Sequence, residues 1–125
     1  MQEEEYKYKD ITGKIIGAAL KVHGKLGSGF QEVVYCRCLE IELEKTGLNF
    51  EREKEMTIVY DGEDVGVRRV DFIVEEKVLV ELKAITLIEP VHLAQILNYL
   101  ETYKMEVGPL INFGQPDLFV KRFVK

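Results

Sequence analysis

The stretch RRVDFIVEEKVLVELKA, residues 68–84, constrains the fold more than any other part of the chain. Its alternating pattern predicts two strands joined by a turn, because successive strand residues point to opposite faces of a sheet. The apolar face consists of the even-numbered residues Val70, Phe72, Val74, Val78, Val80 and Leu82. The odd-numbered face carries Asp71, Glu81 and Lys83. We therefore expect a hairpin that gathers ionisable groups on one face.

The turn around residues 75–77 decides which side chains meet. A turn that pairs Val74 with Val78 sets Asp71 opposite Glu81, whereas a turn shorter by one residue mixes the two faces. We favour the first register. It puts the two carboxylates about 5 Å apart at their Cβ atoms, with Lys83 further along the same face. Burying such a face is costly if its role is only structural, so its chemistry needs an explanation.

The composition predicts one domain, residues 1–125, with residues 1–9 as a flexible tail. With 46% hydrophobic and 31% charged residues, the chain is neither disordered nor fibrous. It has no apolar run long enough to span a membrane, and its start, MQEEEYKYKD, lacks the features of a signal peptide. These features predict a cytoplasmic protein with no membrane partner.

Net charge and cysteine content argue against two classes of function. Lys and Arg number 17 against 22 Asp and Glu, a net charge of −5, which weighs against a protein that coats nucleic acid without sequence preference. An enzyme with a local basic rim stays compatible with this charge. Cys36 and Cys38 are two residues apart on a predicted helix, so they cannot chelate one metal together. We interpret them as reduced thiols.

The remaining patterns predict three helices and further strands. Helix one begins with Asp10 as N-cap and ends near residue 26, and we expect His23, near its end, to be a satisfied surface or C-terminal residue and not a ligand. Helix two covers residues 31–46, strands cover 49–60, 63–69, 108–113 and 118–124, and helix three runs from Pro90 to residue 103. The predicted core sides of helices two and three are Val34, Tyr35, Cys38, Leu39, Ile41 and Leu43, and Leu93, Ile96, Leu97 and Leu100. Gln95 and Tyr99 lie on another face of helix three and hint at a lined cleft.

The central hairpin has the groups that a magnesium-dependent hydrolase needs. Mg²⁺ prefers oxygen ligands, and one or two carboxylates with substrate oxygens suffice to hold it. Asp71 and Glu81 fit this requirement, and the Lys83 ammonium could hold the attacking water or stabilise charge on phosphorus. An ion pair on a solvated sheet face is the alternative explanation, because D…ExK is a short pattern.

Several motifs together resemble a known nuclease family. Asp71, Glu81-Leu82-Lys83 and QILNY, with Gln95 and Tyr99, resemble the PD-(D/E)XK nuclease superfamily and its helical QxxxY motif. GFQEVVY, residues 29–35, reads as GxxExxY. With KVHGKLGSGFQEVVY, RRVDFIV, VELKA, HLAQILNYL and LINFG, it resembles the GxxExxY family of that superfamily over about residues 10–123.

This resemblance implies a fold and a set of roles. The fold is α/β, a restriction-endonuclease-like αβββαβ core with a mixed central sheet flanked by helices. The implied catalytic residues are Glu32, Asp71, Glu81, Lys83, Gln95 and Tyr99. The implied ligands of Mg²⁺ or Mn²⁺ are Asp71, Glu81, the Leu82 backbone carbonyl and Glu32. Val70 stands where the superfamily motif has proline, and the short chain lacks a target-recognition domain, which leaves specificity open.

The sequence thus predicts a Mg-dependent nuclease that hydrolyses phosphodiester bonds in DNA, less so RNA, by metal-activated water. A homodimer is plausible, because a paired cut is most simply made by two protomers. The alternative is a catalytically silent nuclease-fold module that binds or regulates a partner. Phosphoryl transfer on a nucleotide ranks last, since GKLGSGF lacks the GK[ST] ending of a P-loop.

Overall fold

The computed structural model describes residues 7–125. Its elements in chain order are α1 (Lys9–Leu26), α2 (Glu32–Thr46), β1 (Phe50–Tyr60), β2 (Glu63–Val74), β3 (Val78–Lys83), α3 (Pro90–Tyr103), β4 (Val107–Asn112) and β5 (Phe119–Val124). Residues 1–6 of the predicted tail lie outside the described chain, and Lys9 already belongs to α1. The predicted strand 63–69 and the first arm of the central hairpin form one continuous strand, β2.

The five strands form one sheet in the order β1-β2-β3-β4-β5. Strands β3 and β4 are parallel, and every other neighbouring pair is antiparallel. Helix α3 lies between the parallel strands in the chain, as a parallel connection requires. The result is the mixed central sheet flanked by helices that the sequence predicts.

Two apolar clusters lie on opposite sides of the sheet. The first joins α1 and α2 to Phe72, Val74, Val78, Val80 and Leu82. The second joins Ile96 and Leu100 of α3 to Ile73 and Leu79. Val74 pairs with Val78, which confirms the predicted register of the hairpin and the predicted sorting of odd and even residues over most of its length.

Val70 is an exception to this sorting, and its predicted place on the face of Phe72 is wrong. It packs in the second cluster with Ile73. The β1–β2 ladder has no pair between Glu53 and Asp71, and Glu53 has a left-handed φ of 56°. This irregularity breaks the strict alternation of faces at Asp71, so residues on either side of it enter different clusters.

Three further sequence expectations are corrected. Asp10 is not an N-cap: the cap position is Tyr8, and Asp10 lies in the first turn, where a negative charge favours the positive helix end. Ile41 and Leu97 are exposed instead of buried, because the sheet contacts a narrower strip of each helix than the apolar pattern suggests. His23 is buried and its Nε2 lies 2.9 Å from the carbonyl oxygen of Gln115, so the expected satisfied histidine is an interior one.

Two predicted helix boundaries are confirmed. Gly47 ends α2 in the left-handed conformation with φ 81°. Pro90 occupies the first turn of α3, where its missing N–H costs nothing. Of the helices in residues 7–125, none is both long and apolar enough to cross a membrane.

Candidate active site

Regular strand pairing in the central hairpin stops at Asp71. There, carboxylate oxygens accept hydrogen bonds from the backbone N–H groups. Regular pairing of β2 with β3 covers residues 72–74 and 78–80. Beyond it, the Leu82 backbone N–H donates to Asp71 Oδ2 at 2.7 Å, and the Asp71 N–H donates to Glu81 Oε1 at 3.3 Å. The two acidic side chains are therefore fixed by the backbone of the strands that carry them.

Helix α2 brings a third carboxylate and a thiol to Asp71. Ligand atoms of Glu32, Cys36 and Asp71 all lie within 4.8 Å of one another. Cys36 Sγ is 3.8 Å from Asp71 Oδ1. Glu32 and Cys36 are four residues apart, which places them on the same side of a helix. The sequence predicted that Glu32 approaches this site, but it treated Cys36 only as a reduced thiol.

The GxxExxY segment has a clear local role in presenting Glu32. The Tyr35 hydroxyl donates to the Gly27 carbonyl at 2.5 Å and accepts from the Phe30 N–H at 3.3 Å. The Tyr35 ring is fully buried and stacks on Phe113 with centroids 4.6 Å apart. Tyr35 therefore ties the loop before α2 to the core and fixes the helix end that carries Glu32.

Helix α3 supplies the other wall of the site. Lys83 Nζ donates to Gln95 Oε1 at 3.0 Å, so the lysine is held against the helix. One turn further, the Tyr99 ring lies 4.8 Å from the Arg68 guanidinium. The polar face of α3 that hinted at a cleft thus contacts Lys83 and Arg68. The Asp71–Glu81 pair lies between α2 on one side and α3 on the other.

Burial and mutual repulsion control the protonation of the carboxyl groups. Glu81 is only 6% exposed, and burial followed by the Asp71 charge raises its pKa to about 9. Burial also raises the pKa of Asp71, although the Leu82 N–H opposes this. Partial burial and then the Asp71 charge raise the pKa of Glu32, and the Lys83 ammonium lowers it. Protons or cations must therefore neutralise this cluster.

The donor set fits a hard divalent cation. Asp71, Glu81 and Glu32 offer carboxylate oxygens, which Mg²⁺ and Mn²⁺ prefer. Two hydrogen-bonded carboxyls, one half-buried and one buried, have raised pKa values and need positive charge that one lysine only partly supplies. Burial raises the pKa of the Cys36 thiol, which keeps it protonated and makes it a poor ligand beside these oxygens. Leu82 contributes its N–H to Asp71, and a ligand role for its carbonyl stays a prediction.

The fold and this cluster define a class of protein in which a hairpin presents an Asp, a Glu and a Lys at the edge of a mixed sheet. A model of the PD-(D/E)XK nuclease superfamily matches residues 9–123, nearly the whole chain. The chain belongs to that superfamily.

Two other comparisons add less. The crystal structure of SSO0001 is similar with a TM-score of 0.47 and 20% sequence identity, over 86% of this chain and 61% of that chain. This chain therefore spans less than two thirds of that protein's length. The chain matches none of the curated proteins.

Proposed function

We propose that the protein is a nuclease of the GxxExxY family that needs Mg²⁺ or Mn²⁺ and hydrolyses phosphodiester bonds in DNA. One observation carries the proposal. The opened hairpin sets the half-buried Asp71 beside the buried Glu81 carboxyl, which accepts the Asp71 N–H, with Glu32 and Lys83 near enough to alter the charge balance. Membership of the superfamily supports a nucleic acid as substrate. The choice of DNA over RNA belongs to the proposal.

In this proposal each residue of the site has a separate task. Asp71, Glu81 and Glu32 hold the cation. When bound, the cation supplies a nucleophile at neutral pH and neutralises charge on the phosphate. The Lys83 ammonium donates hydrogen bonds to the water or to the phosphate oxygens, where negative charge develops. Gln95 fixes Lys83 through its 3.0 Å hydrogen bond and therefore acts as a positioning residue.

The rim of the site offers a contact for the substrate backbone. Arg68 lies over Tyr99 at the end of the site, and its guanidinium can bind phosphate oxygens in a bidentate manner. The aromatic ring restrains the arginine, so less side-chain entropy is lost when phosphate binds. A positively charged side chain at the rim, such as Arg68, lets a protein with a net charge of −5 bind a polyanion.

The test is metal binding by calorimetry together with cleavage of single- and double-stranded DNA and of RNA. We choose Asp71→Asn because alanine would leave the Leu82 N–H without its acceptor. We expect Asp71→Asn and Lys83→Gln to lower the cleavage rate by about 10²–10³-fold or more. Asp71→Asn should also weaken metal binding, whereas Lys83→Gln should preserve it.

The matched control is Glu44→Gln, which removes one exposed carboxylate from α2 away from the site. It should cleave and bind metal like the wild type. Cleavage by Asp71→Asn at the wild-type rate would refute the proposal.

A silent nuclease-fold binding module is the second candidate. Asp71 and Glu81 both make backbone hydrogen bonds, so the fold has a use for them without catalysis. Metal-independent capture of nucleic acid or protein that survives Asp71→Asn and Glu81→Gln would favour this function. We further propose a cytoplasmic location, with which the two free cysteines are compatible.

A further inference from the structure

The outer half of β2, residues 63–69, forms an open strand edge within the described chain. Strand β1 pairs with this segment on one side. On the other side, β3 pairs with β2 only from Phe72 onward. Val65 and Val67 are 59% and 62% exposed. An open edge with exposed apolar side chains is a template for pairing with another chain.

The sequence of this segment is complementary to itself. It reads EDVGVRR, with two acidic residues, two valines around Gly66 and two arginines. In an antiparallel pair of two copies with Gly66 opposite Gly66, the facing residues are Glu63 with Arg69, Asp64 with Arg68, and Val65 with Val67. Every charged residue then faces an opposite charge, and such cross-strand pairs stabilise a sheet.

We propose that a second copy of this chain pairs with residues 63–69 about a two-fold axis at Gly66. The interface is isologous, because the same segment is used by both protomers. Its centre is apolar and its ends are charged, which is the usual arrangement of a protein interface. A second copy fits the acidic end of this edge better than nucleic acid does, since the tip of the β1–β2 hairpin carries Asp61, Glu63 and Asp64.

Existing contacts of the segment leave it able to pair. The Arg68 guanidinium lies over the Tyr99 ring and the Arg68 carbonyl is 3.2 Å from the Tyr103 hydroxyl, but a guanidinium has five N–H donors and keeps some for a facing Asp64. Arg69 contacts Glu55 at 2.7 Å, but both side chains are more than half exposed, so this ion pair is weak and its guanidinium has donors to spare. The register of β1 and β2 shifts between Ile58 and Val59, which leaves Val65 without a partner on β1.

The dimer also bears on the proposed nuclease function, although its test does not depend on cleavage. Asp71 lies five residues beyond Gly66 on the same strand. The two Asp71 residues of the dimer would then be about 33 Å apart along the joined strands. This separation is close to one turn of B-DNA, about 34 Å.

Sedimentation velocity over a wide range of protein concentration tests the proposal through charge reversal. The wild type should form dimers that weaken with salt. E63R/D64R and R68E/R69E should each be monomeric, because like charges would face each other. An equimolar mixture of these two variants should form a heterodimer, and the quadruple variant that carries all four substitutions should regain the homodimer.

Two results would overturn the proposal: a wild type that is monomeric at every concentration, or a dimer that both double variants retain. Circular dichroism checks that each variant is folded.

A second measurement, disulfide cross-linking, covers the case of a misfolded charge variant. Gly66→Cys should form an intermolecular disulfide on mild oxidation, since a residue on the axis faces itself and its Cβ would meet only Ile58 at 3.7 Å. Glu76→Cys, in the exposed 75–77 turn, is the matched control and should not. Equal cross-linking of both would contradict the axis.

Discussion

The two halves of β2 differ sharply although they form one strand. In the inner half, residues 70–74, every residue except Asp71 is buried. In the outer half, residues 63–69, every residue except the half-buried Arg68 is exposed. Residues 72–74 of the inner half have a neighbouring strand on both sides, whereas the described chain supplies the outer half with a neighbour on one side only. The candidate site lies where the second neighbour is lost.

This position explains how a stable sheet can carry a reactive cluster. The inner half is held by apolar packing on both faces and tolerates the cost of burying carboxyls next to it. At Asp71 the strands part, and side-chain oxygens reach backbone N–H groups that no strand partner uses. A cluster placed further inward would lack access to solvent, and one placed further outward would lack rigid support.

The largest expected contrast between the halves is in stability. Phe72 is fully buried and contacts Phe50 edge to face at 5.8 Å between centroids. We expect Phe72→Ala to lower the free energy of unfolding by about 3–5 kcal/mol, because it leaves a cavity in the first cluster. Urea denaturation measures this change. A loss below 1 kcal/mol would mean that the inner half is not the rigid part of the strand.

The next contrast concerns pH and Glu81. Its folded-state pKa of about 9 exceeds its ordinary value of 4.5, so the folded protein binds more protons than the unfolded chain between these values. In the presence of chelator, stability should therefore fall as the pH rises from about 4.5 to about 9. Glu81→Gln removes this titration and should be more stable than the wild type at pH 8 by roughly 1–3 kcal/mol.

Thermal or urea unfolding of both proteins at several pH values measures the difference. It should shrink at pH 4, where the carboxyl is protonated in both states. It should also shrink when Mg²⁺ is added, because the cation stabilises the ionised form of the wild type. Parallel pH profiles for the two proteins would contradict the raised pKa.

A smaller effect is expected at the junction of the halves. The Tyr103 hydroxyl donates to the Lys54 carbonyl at 2.7 Å and lies 3.2 Å from the Arg68 carbonyl. Tyr103→Phe should lower the free energy of unfolding by about 1 kcal/mol, since the part-buried hydrogen bond to the Lys54 carbonyl is lost. In this variant, the backbone amides of residues 54–69 should exchange their hydrogens faster than those of β4. Uniform protection across the sheet would mean that Tyr103 does not mark a junction.

The smallest effect belongs to the outer half. Val67→Thr should change the unfolding free energy of the dilute protein by less than about 0.5 kcal/mol, because the side chain is mostly exposed. The same variant should weaken the proposed dimer measurably at high concentration. A large loss of stability in the dilute protein would show that Val67 packs against its own chain.

How much the sequence predicts depends on the range of the interactions involved. The pairing of Val74 with Val78 follows from alternation alone, and the approach of Asp71 to Glu81 follows from that pairing. Glu32 is different, because only the resemblance to a family connected it with a strand some forty residues away. The structure now places its carboxylate beside Asp71. Its catalytic role, like those of Lys83, Gln95 and Tyr99, stays a prediction.

The wrong sequence predictions have physical causes that a local sequence pattern does not contain. Val70 changes sides because Glu53, on a different strand, adopts a left-handed conformation. Ile41 and Leu97 continue apolar stripes whose outer edges the sheet does not cover. Cys36 was missed as a neighbour of Asp71, although its spacing of four residues from Glu32 was a signal that could have found it.

The hydrogen bond from the Leu82 N–H to Asp71 has a consequence for judging other members of the superfamily. Because Asp71 joins two strands, a descendant that loses cleavage still gains from an aspartate there. Lys83 is different, since the described hydrogen bond of its side chain goes to the Gln95 side chain on α3 and not to a neighbouring strand. Loss of the lysine should therefore report the end of catalysis sooner than loss of the aspartate, and inactive relatives are better sought at the position of Lys83.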